Sequence, residues 1–201
     1  MIEIPQSESH YGGLILVCGL PCSGKSTAIQ NALKHNPELL YMKSYTTRPR
    51  RPGEGDDEYF FVDDSGFEQK KSSVPPEHWE ESETYGRRYG QDTHFYNQQM
   101  ELGRFVIGCC HPSLAEVESL SPYYEVARTK VIFIDIDERV RRERMLQTRG
   151  SEAAKRLNYD AEWSAAPDFL ARADYTITPR DHLEYDLAAF DSVVKQIMSR
   201  E

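Results

Sequence analysis

The sequence predicts an α/β fold: a parallel sheet with helices on both faces and an inserted, mostly β subdomain. Three observations carry that expectation. Apolar runs of strand length recur at 14–18, 104–110 and 130–136, with a weaker one at 174–178. Helical patterns fill the intervals between them, the alternation that builds parallel sheets buried on both sides. Residues 40–92 break the rhythm, being rich in Tyr, Thr, Arg, Pro, Gly and acidic side chains, and read as the insert.

Taken in order, residues 1–12 form a loose polar leader, and Leu14-Ile15-Leu16-Val17-Cys18 is a continuous apolar run suited to a central strand. A helix is expected over 27–36, where Ile29 and Leu33 lie four apart on one face. Further helices are expected at about 93–102, 113–120, 138–148, 152–165 and 182–199. Asp137 suits the N-cap of the 138–148 helix, whose surface is crowded by Glu138, Arg139, Arg141, Arg142 and Arg144. The chain is expected to be one domain over 13–200, with core segments 13–39 and 93–200, the insert at about 40–92, and a lid at about 149–158.

Between the first strand and the first helix stands Gly19-Leu20-Pro21-Cys22-Ser23-Gly24-Lys25-Ser26, then Thr27. It fits the phosphate-binding pattern G-x-x-x-x-G-K-[ST] without a mismatch. Strand, glycine loop and helix place backbone N–H groups around a β-phosphate at a helix N-terminus. Lys25 would bring a positive charge to the β- and γ-phosphates, and Ser26 would offer its hydroxyl to Mg²⁺. The chain is therefore expected to bind a nucleoside triphosphate.

Composition narrows the partners. The net charge of −9 over 201 residues argues against a general nucleic-acid binder, since no basic face easily dominates. No stretch approaches the 18 apolar residues that mark a membrane span. The four cysteines, Cys18, Cys22, Cys109 and Cys110, form no metal-ligand spacing, and Cys18 and Cys109 sit in apolar runs as small buried hydrophobes. With a polar start and no apolar signal core, a reducing compartment, most simply the cytoplasm, is expected.

The insert opens with Ser44-Tyr45-Thr46-Thr47-Arg48-Pro49-Arg50-Arg51-Pro52-Gly53-Glu54, followed by Glu58-Tyr59-Phe60-Phe61-Val62. Arg48 and Arg51 are two always-charged forks suited to bidentate contacts with a phosphate dianion. Tyr59 and Tyr89 can add O–H donors without adding charge. Glu80 can accept from the adjacent N1–H and N2–H₂ donors of guanine, and adenine would leave that carboxylate unpaired. The plainer alternatives are a solvated charge run, in which these arginines balance Glu54, Asp56, Asp57 and Glu58, and a surface glutamate within Glu77-His78-Trp79-Glu80-Glu81.

The segment resembles the acceptor-binding region of guanylate kinases, whose pattern runs S-x-T-T-R-x-x-R-x-G-E and then D-Y-x-F. Glu80 with Tyr89-Gly90 looks like that family's E-x₈-Y-G element. Arg149-Gly150 and Lys155-Arg156-Leu157 are similar to its R-G and K-R-L, with a shorter spacer. The resemblance covers most of residues 14–200. It implies a P-loop kinase core, phosphoryl transfer from ATP to a nucleoside monophosphate, GMP first, and Mg²⁺ held through Ser26. It places Ser44 at the base, Gln91 where a Ser or Thr usually contacts the base, and Thr178 near the position of an asparagine that touches adenine. Arg144, Arg149 and Arg156 become the candidates to reach the transferring phosphoryl group, together with Lys25 and Arg48.

Besides Gln91 and the shorter spacer, the chain departs from that pattern at a strand end. The family's strand end, V-L-D-I-D-x-Q-G, corresponds here to Phe105-Val106-Ile107-Gly108-Cys109-Cys110-His111, so Gly108 and Cys110 replace both aspartates. Asp135 and Asp137 end another apolar run, where an acid can serve a metal or cap a helix. His111 stands at a strand's carboxyl end, where α/β ligands bind and where structural histidines also occur. Two other readings stay open: a related kinase acting on a ribose bisphosphate or modified nucleotide, and a non-catalytic interaction module, which the intact Gly24-Lys25-Ser26-Thr27 opposes.

Overall fold

The computed structural model describes residues 12–51, 54–84, 86–110, 128–150, 153–154, 157, 173–179 and 183–199. In chain order its elements are β1 (Leu14–Cys18), α1 (Lys25–His35), β2 (Leu40–Tyr41), β3 (Ser44–Thr46), β4 (Tyr59–Phe61), α2 (Asp64–Ser72), a 3₁₀ turn (Pro76–His78), β5 (Trp79–Thr84) and β6 (Arg87–Asp92). They continue with α3 (Thr93–Glu101), β7 (Val106–Cys110), β8 (Thr129–Ile134), α4 (Glu138–Arg149), β9 (Tyr175–Ile177) and α5 (Leu183–Met198). The helices expected at 113–120 and over most of 152–165, with most of the 149–158 lid, lie outside the described residues.

The main sheet runs β2-β7-β1-β8-β9, every pair parallel. β1 is its centre, pairing with β7 on one side and β8 on the other, and all five of its residues are at most 1% exposed. Alternation sends Leu14, Leu16 and Cys18 to one face, against Met42, Tyr96 and Met100. Ile15 and Val17 go to the other, against Ala28, Ile29 and Ala32 of α1 and Phe190 and Val194 of α5. Each such buried aliphatic side chain stabilises the fold by about 1.5–3 kcal/mol. The expected sheet with helices on both faces is therefore present. At the C-terminal end of α1, Asn36 donates to Ala32 O and to Asp191 Oδ1, both at 2.8 Å, tying α1 to α5.

The smaller sheet runs β4-β3-β6-β5, with β3–β4 parallel and the other pairs antiparallel. Two features of 40–92 differ from the sequence reading. Leu40–Tyr41 is an edge strand of the main sheet, pairing with β7, so the smaller sheet begins at Ser44. The reason is apolar anchoring: Leu39 and Met42 are buried on either side of that strand, on opposite faces of the main core. The second feature is α2, which shows no helical periodicity because Phe67 is its single buried residue. Asp63 caps it by accepting from Gly66 N at 2.7 Å, and Phe67 packs edge-on against Trp79 at 5.5 Å between ring centroids.

Two glycines mark close approaches. A Cβ at Gly90 would overlap the Trp79 ring and press on Phe67, so the smaller sheet's core depends on glycine there. A Cβ at Gly108 would overlap the terminal methyl of Met42, whose side chain occupies the room a longer residue at 108 would need. In α4, Arg141 is 1% exposed and forks onto Glu138, so it is a buried residue and not one of the surface arginines the sequence suggested. Among the described residues no helix is long and apolar enough to cross a membrane.

We expect Gly90→Ala to lower stability by about 1–3 kcal/mol, the usual cost of overpacking a filled core. A thermal melt checks it, and a variant that melts with the wild type would mean that Trp79 has another place to go.

Candidate active site

The loop after β1 has the shape that its residue types demand. Gly24 sits at the N-cap of α1 with φ 100°, a left-handed conformation that favours glycine, so no side chain covers the helix N-terminus. A Cβ at Gly19 would stand 2.8 Å from Ile134 O and 2.9 Å from Ser23 Oγ, leaving no room for anything larger. Cys22 takes φ 67° at the loop's apex. Ser23 N donates to Leu20 O at 3.1 Å, closing the turn. Lys25 Nζ donates to Gly19 O at 2.6 Å and Leu20 O at 3.0 Å, so its charge folds back over the loop.

One polar atom in the loop is unsatisfied. Ser23 is 2% exposed and its Oγ has no hydrogen-bond partner among the described residues. A buried hydroxyl left alone costs about 1–3 kcal/mol, so an acceptor entering the loop would recover that penalty. A tight glycine cradle, an uncapped helix N-terminus, an ammonium and an orphan hydroxyl fit a phosphate chain.

Helix α4 lies beside this loop. Arg144 Nη1 comes within 3.8 Å of where a Gly24 Cβ would be, so the guanidinium stands next to the phosphate cradle as the sequence suggested. Cys22 Sγ is 3.7 Å from Met145 Sδ and 3.6 Å from Thr148 Oγ1. Arg149 is the last residue of α4, while Arg156 and His111 lie outside the described residues. Asp137 resolves as a cap: its carboxylate accepts from Arg139 N at 3.0 Å and Val140 N at 3.2 Å. Asp135 follows β8 and its N–H donates to Ile177 O at 2.9 Å. Thr178 follows β9 directly.

The smaller sheet collects the other candidates. Strand register puts Ser44 beside Tyr59, Thr46 beside Tyr89 and Glu80 beside Gln91. Gln91 Nε2 donates to Ser44 Oγ at 2.8 Å, bringing two proposed base contacts together, with Glu80 opposite. Tyr59 and Tyr89 face each other at 6.0 Å between ring centroids, and the Arg48 guanidinium lies 5.1 Å from the Tyr59 ring. Arg48 is 6% exposed and forks onto Glu54 at 2.9 and 2.6 Å, while Arg51 N donates to Glu54 Oε2 at 2.9 Å. Arg50 pairs with Asp56 at the surface. The charge run is thus internally paired, with Glu54 aiming Arg48 at the tyrosine pair.

Burial sets the protonation of these groups. It pushes the Tyr59 phenol well above its ordinary range, with Cys109, Tyr89 and Glu58 adding to it, so Tyr59 remains an O–H donor. Tyr41, which the sequence reading missed, is raised in the same way, by burial and then by Cys109, Tyr59 and Glu58. Burial works against the Glu54 carboxylate, but hydrogen bonds from Arg48 and Arg51 outweigh it and hold the group below the usual range. Glu80 is pushed up to about 7, by burial first and by neighbouring Glu81 second.

A second missed residue joins the two halves of the site. Ser26 Oγ donates to Glu58 Oε2 at 2.9 Å, linking the phosphate loop to the residue that precedes β4. The signal was in the sequence, where Glu58 stands at the acidic position of a D-Y-x-F pattern. These are hard oxygen donors of the kind Mg²⁺ takes, and one hydroxyl with one carboxylate suits an ion that fills its shell with phosphates and water. No group of three or more His, Cys, Asp or Glu among the described residues could hold a metal without the nucleotide.

Comparison with known proteins agrees with this geometry. The guanylate kinase family model matches residues 11–196. A guanylate kinase of Nostoc sp. is 38% identical over 97 residues, 48% of this chain and 48% of that protein. One from Carboxydothermus hydrogenoformans is 42% identical over 82 residues, 40% of this chain and 39% of its own length. The matched stretch thus spans about half the length of such relatives or less. The crystal structure of guanylate kinase from Anaplasma phagocytophilum has the same fold, with a TM-score of 0.64 at 20% identity, over 92% of this chain and 86% of that one. A phosphate loop at the end of a central strand, an acceptor-type sheet beside it and a family match over nearly the whole chain place this protein in the guanylate kinase family.

Proposed function

We propose that the protein transfers a phosphoryl group from ATP to a nucleoside monophosphate, GMP first, giving ADP and GDP. The observation that carries this reading is the pairing of an intact phosphate loop with a candidate base-reading set, in which Gln91 donates to Ser44 opposite a half-buried Glu80. Gly19 to Thr27 would hold the ATP phosphates, with Lys25 leaving its loop carbonyls for the β- and γ-oxygens. Arg48, Arg51, Tyr59 and Tyr89 would hold the acceptor's phosphate. Its oxygens are already ionised, so no covalent enzyme intermediate is needed, and positioning with charge neutralisation supplies the catalysis. Arg144, with Arg149 and Arg156, would neutralise charge on the transferring group. Ser26, with Glu58 beside it, would hold Mg²⁺, which would supply positive charge against the nucleotide's phosphates.

One observation favours a second acceptor class. Met42 fills the space at Gly108, so an apolar methyl stands where the family pattern carries a carboxylate toward the acceptor's sugar. A different sugar, as in a ribose bisphosphate or modified nucleotide, would suit that end of the site. Turnover with ATP against GMP, dGMP, AMP, UMP, dTMP and sugar phosphates separates the two, and GMP should give the highest kcat/KM.

Lys25→Ala should cut kcat by about 3 kcal/mol of transition-state stabilisation, on the order of a hundredfold, with an unchanged melt. A variant that turns over within a few-fold of wild type would end the kinase reading. Arg48→Ala should weaken every monophosphate acceptor alike, whereas Glu80→Gln should cost guanine acceptors about 2 kcal/mol and spare others, because its NH₂ opposes a guanine donor. Equal losses for GMP and a non-guanine acceptor would remove Glu80 from base reading.

Glu80 also predicts a pH dependence. Its carboxyl, raised to about 7, must be ionised to accept from guanine, so kcat/KM for GMP should fall as pH drops through that value. The folded chain keeps this proton where the unfolded chain has lost it, so stability should fall as pH rises from the carboxyl's ordinary 4.5 to about 7. Glu80→Gln should flatten both profiles. Wild-type profiles already flat across this window would show that the group stays ionised.

A further inference from the structure

We infer that Glu58 supplies the carboxylate of this protein's Mg²⁺ site, taking over from the strand-end aspartates that the chain lacks. The inference rests on the triphosphate-binding reading above. Its first observation is the hydrogen bond from Ser26 Oγ to Glu58 Oε2 at 2.9 Å. Ser26 is the residue whose hydroxyl the loop pattern assigns to the metal, so a carboxylate touching that hydroxyl stands at the metal's position. The second is the orphaned Ser23 Oγ, buried three residues away in the same loop, which marks the loop as built to receive an oxygen-rich ligand.

The competing acids are accounted for. Met42 occupies the space at Gly108, so no side chain reaches out from that position. The Asp137 carboxylate is spent on Arg139 N and Val140 N at the start of α4. Asp135 is exposed, just past the end of β8. Glu58 carries one methylene more than the aspartate of the D-Y-x-F pattern, and that added reach is what a residue in the smaller sheet needs to touch the phosphate loop.

A magnesium ion bound by the Ser26 hydroxyl and substrate phosphates keeps several waters, and the Glu58 carboxylate beside that hydroxyl would hold one of these. Glu58 immediately precedes β4, whose Tyr59 belongs to the acceptor-phosphate set. Metal binding on the donor side is thereby tied to the position of the acceptor sheet. An aspartate fixed at the end of a core strand makes no such link.

The test separates metal binding from turnover. Mn²⁺ binding to the ADP complex is measured by electron paramagnetic resonance for wild type, Glu58→Gln and Glu58→Asp, and ADP binding is measured by calorimetry in EDTA. Glu58→Gln should weaken Mn²⁺ by about tenfold or more, as outer-shell carboxylate losses do, and leave ADP affinity in EDTA within twofold. Glu58→Asp, charged but shorter, should fall between them. The Mg²⁺ concentration for half-maximal rate should rise in the same order. If Glu58→Gln and Glu58→Asp bind Mn²⁺ as wild type does, the assignment is overturned. If removing the carboxylate tightens metal binding, Glu58 is a latch on Ser26 that the metal must displace, and the assignment is likewise overturned. Failure of the wild type to bind ADP in either medium would instead overturn the triphosphate reading on which this rests.

Discussion

The burial of β1 between β7 and β8 is the constraint on which the rest of the molecule depends. Five residues without solvent contact, paired on both edges and covered on both faces, can end in only one direction and at one height. The glycine loop leaves from that fixed end, so its N–H groups and the first turn of α1 inherit the strand's precision. α1 is held in turn by Ala28, Ile29 and Ala32 against the same sheet and by Asn36 on Asp191. A phosphate site made of backbone donors needs such a frame, because the donors cannot be aimed by rotamers.

The acceptor side is built by a different economy. Its sheet is small, and its core of Phe67, Val74 and Trp79 closes only because Gly90 leaves room for the indole ring. Polar groups in this half are oriented by one another: Glu54 fixes Arg48, Gln91 engages Ser44, and Arg88 pairs with Glu68 and Glu81. Burial then keeps Tyr59 protonated as a donor and makes Glu80 reluctant to ionise. An apolar core frames the phosphate loop, and a hydrogen-bonded, titratable layer makes up the smaller sheet's polar face. The Ser26–Glu58 bond is where the two meet.

Loss of acid from the end of β7 fits this division. With Met42 turned into the space at Gly108, the middle of that strand belongs to the apolar core. The carboxylate that meets the phosphate loop is instead Glu58, which immediately precedes β4.

By itself the sequence determined the parallel core and the phosphate loop, and it marked the arginine and tyrosine positions that the smaller sheet brings together. Those features are local: a run of five apolar residues, an eight-residue pattern and an Arg-x-x-Arg spacing each announce their structure without reference to distant chain. Strand limits were legible to within about two residues at Leu14–Cys18, Val106–Cys110, Thr129–Ile134 and Tyr175–Ile177. α2 was not legible, because a helix anchored by Phe67 alone has no periodicity, and the Asp63 cap was its only mark. Nor was the transfer of Leu40–Tyr41 to the main sheet, which depends on an edge of β7 formed by Val106 and Ile107, far along the chain. Only the tertiary structure decided that Arg141 is buried, that Arg48 is held by Glu54, and that Glu58 rather than an aspartate at a strand end touches Ser26. Each of these is a meeting of side chains set by packing between elements, and spacing along the chain carries no record of it.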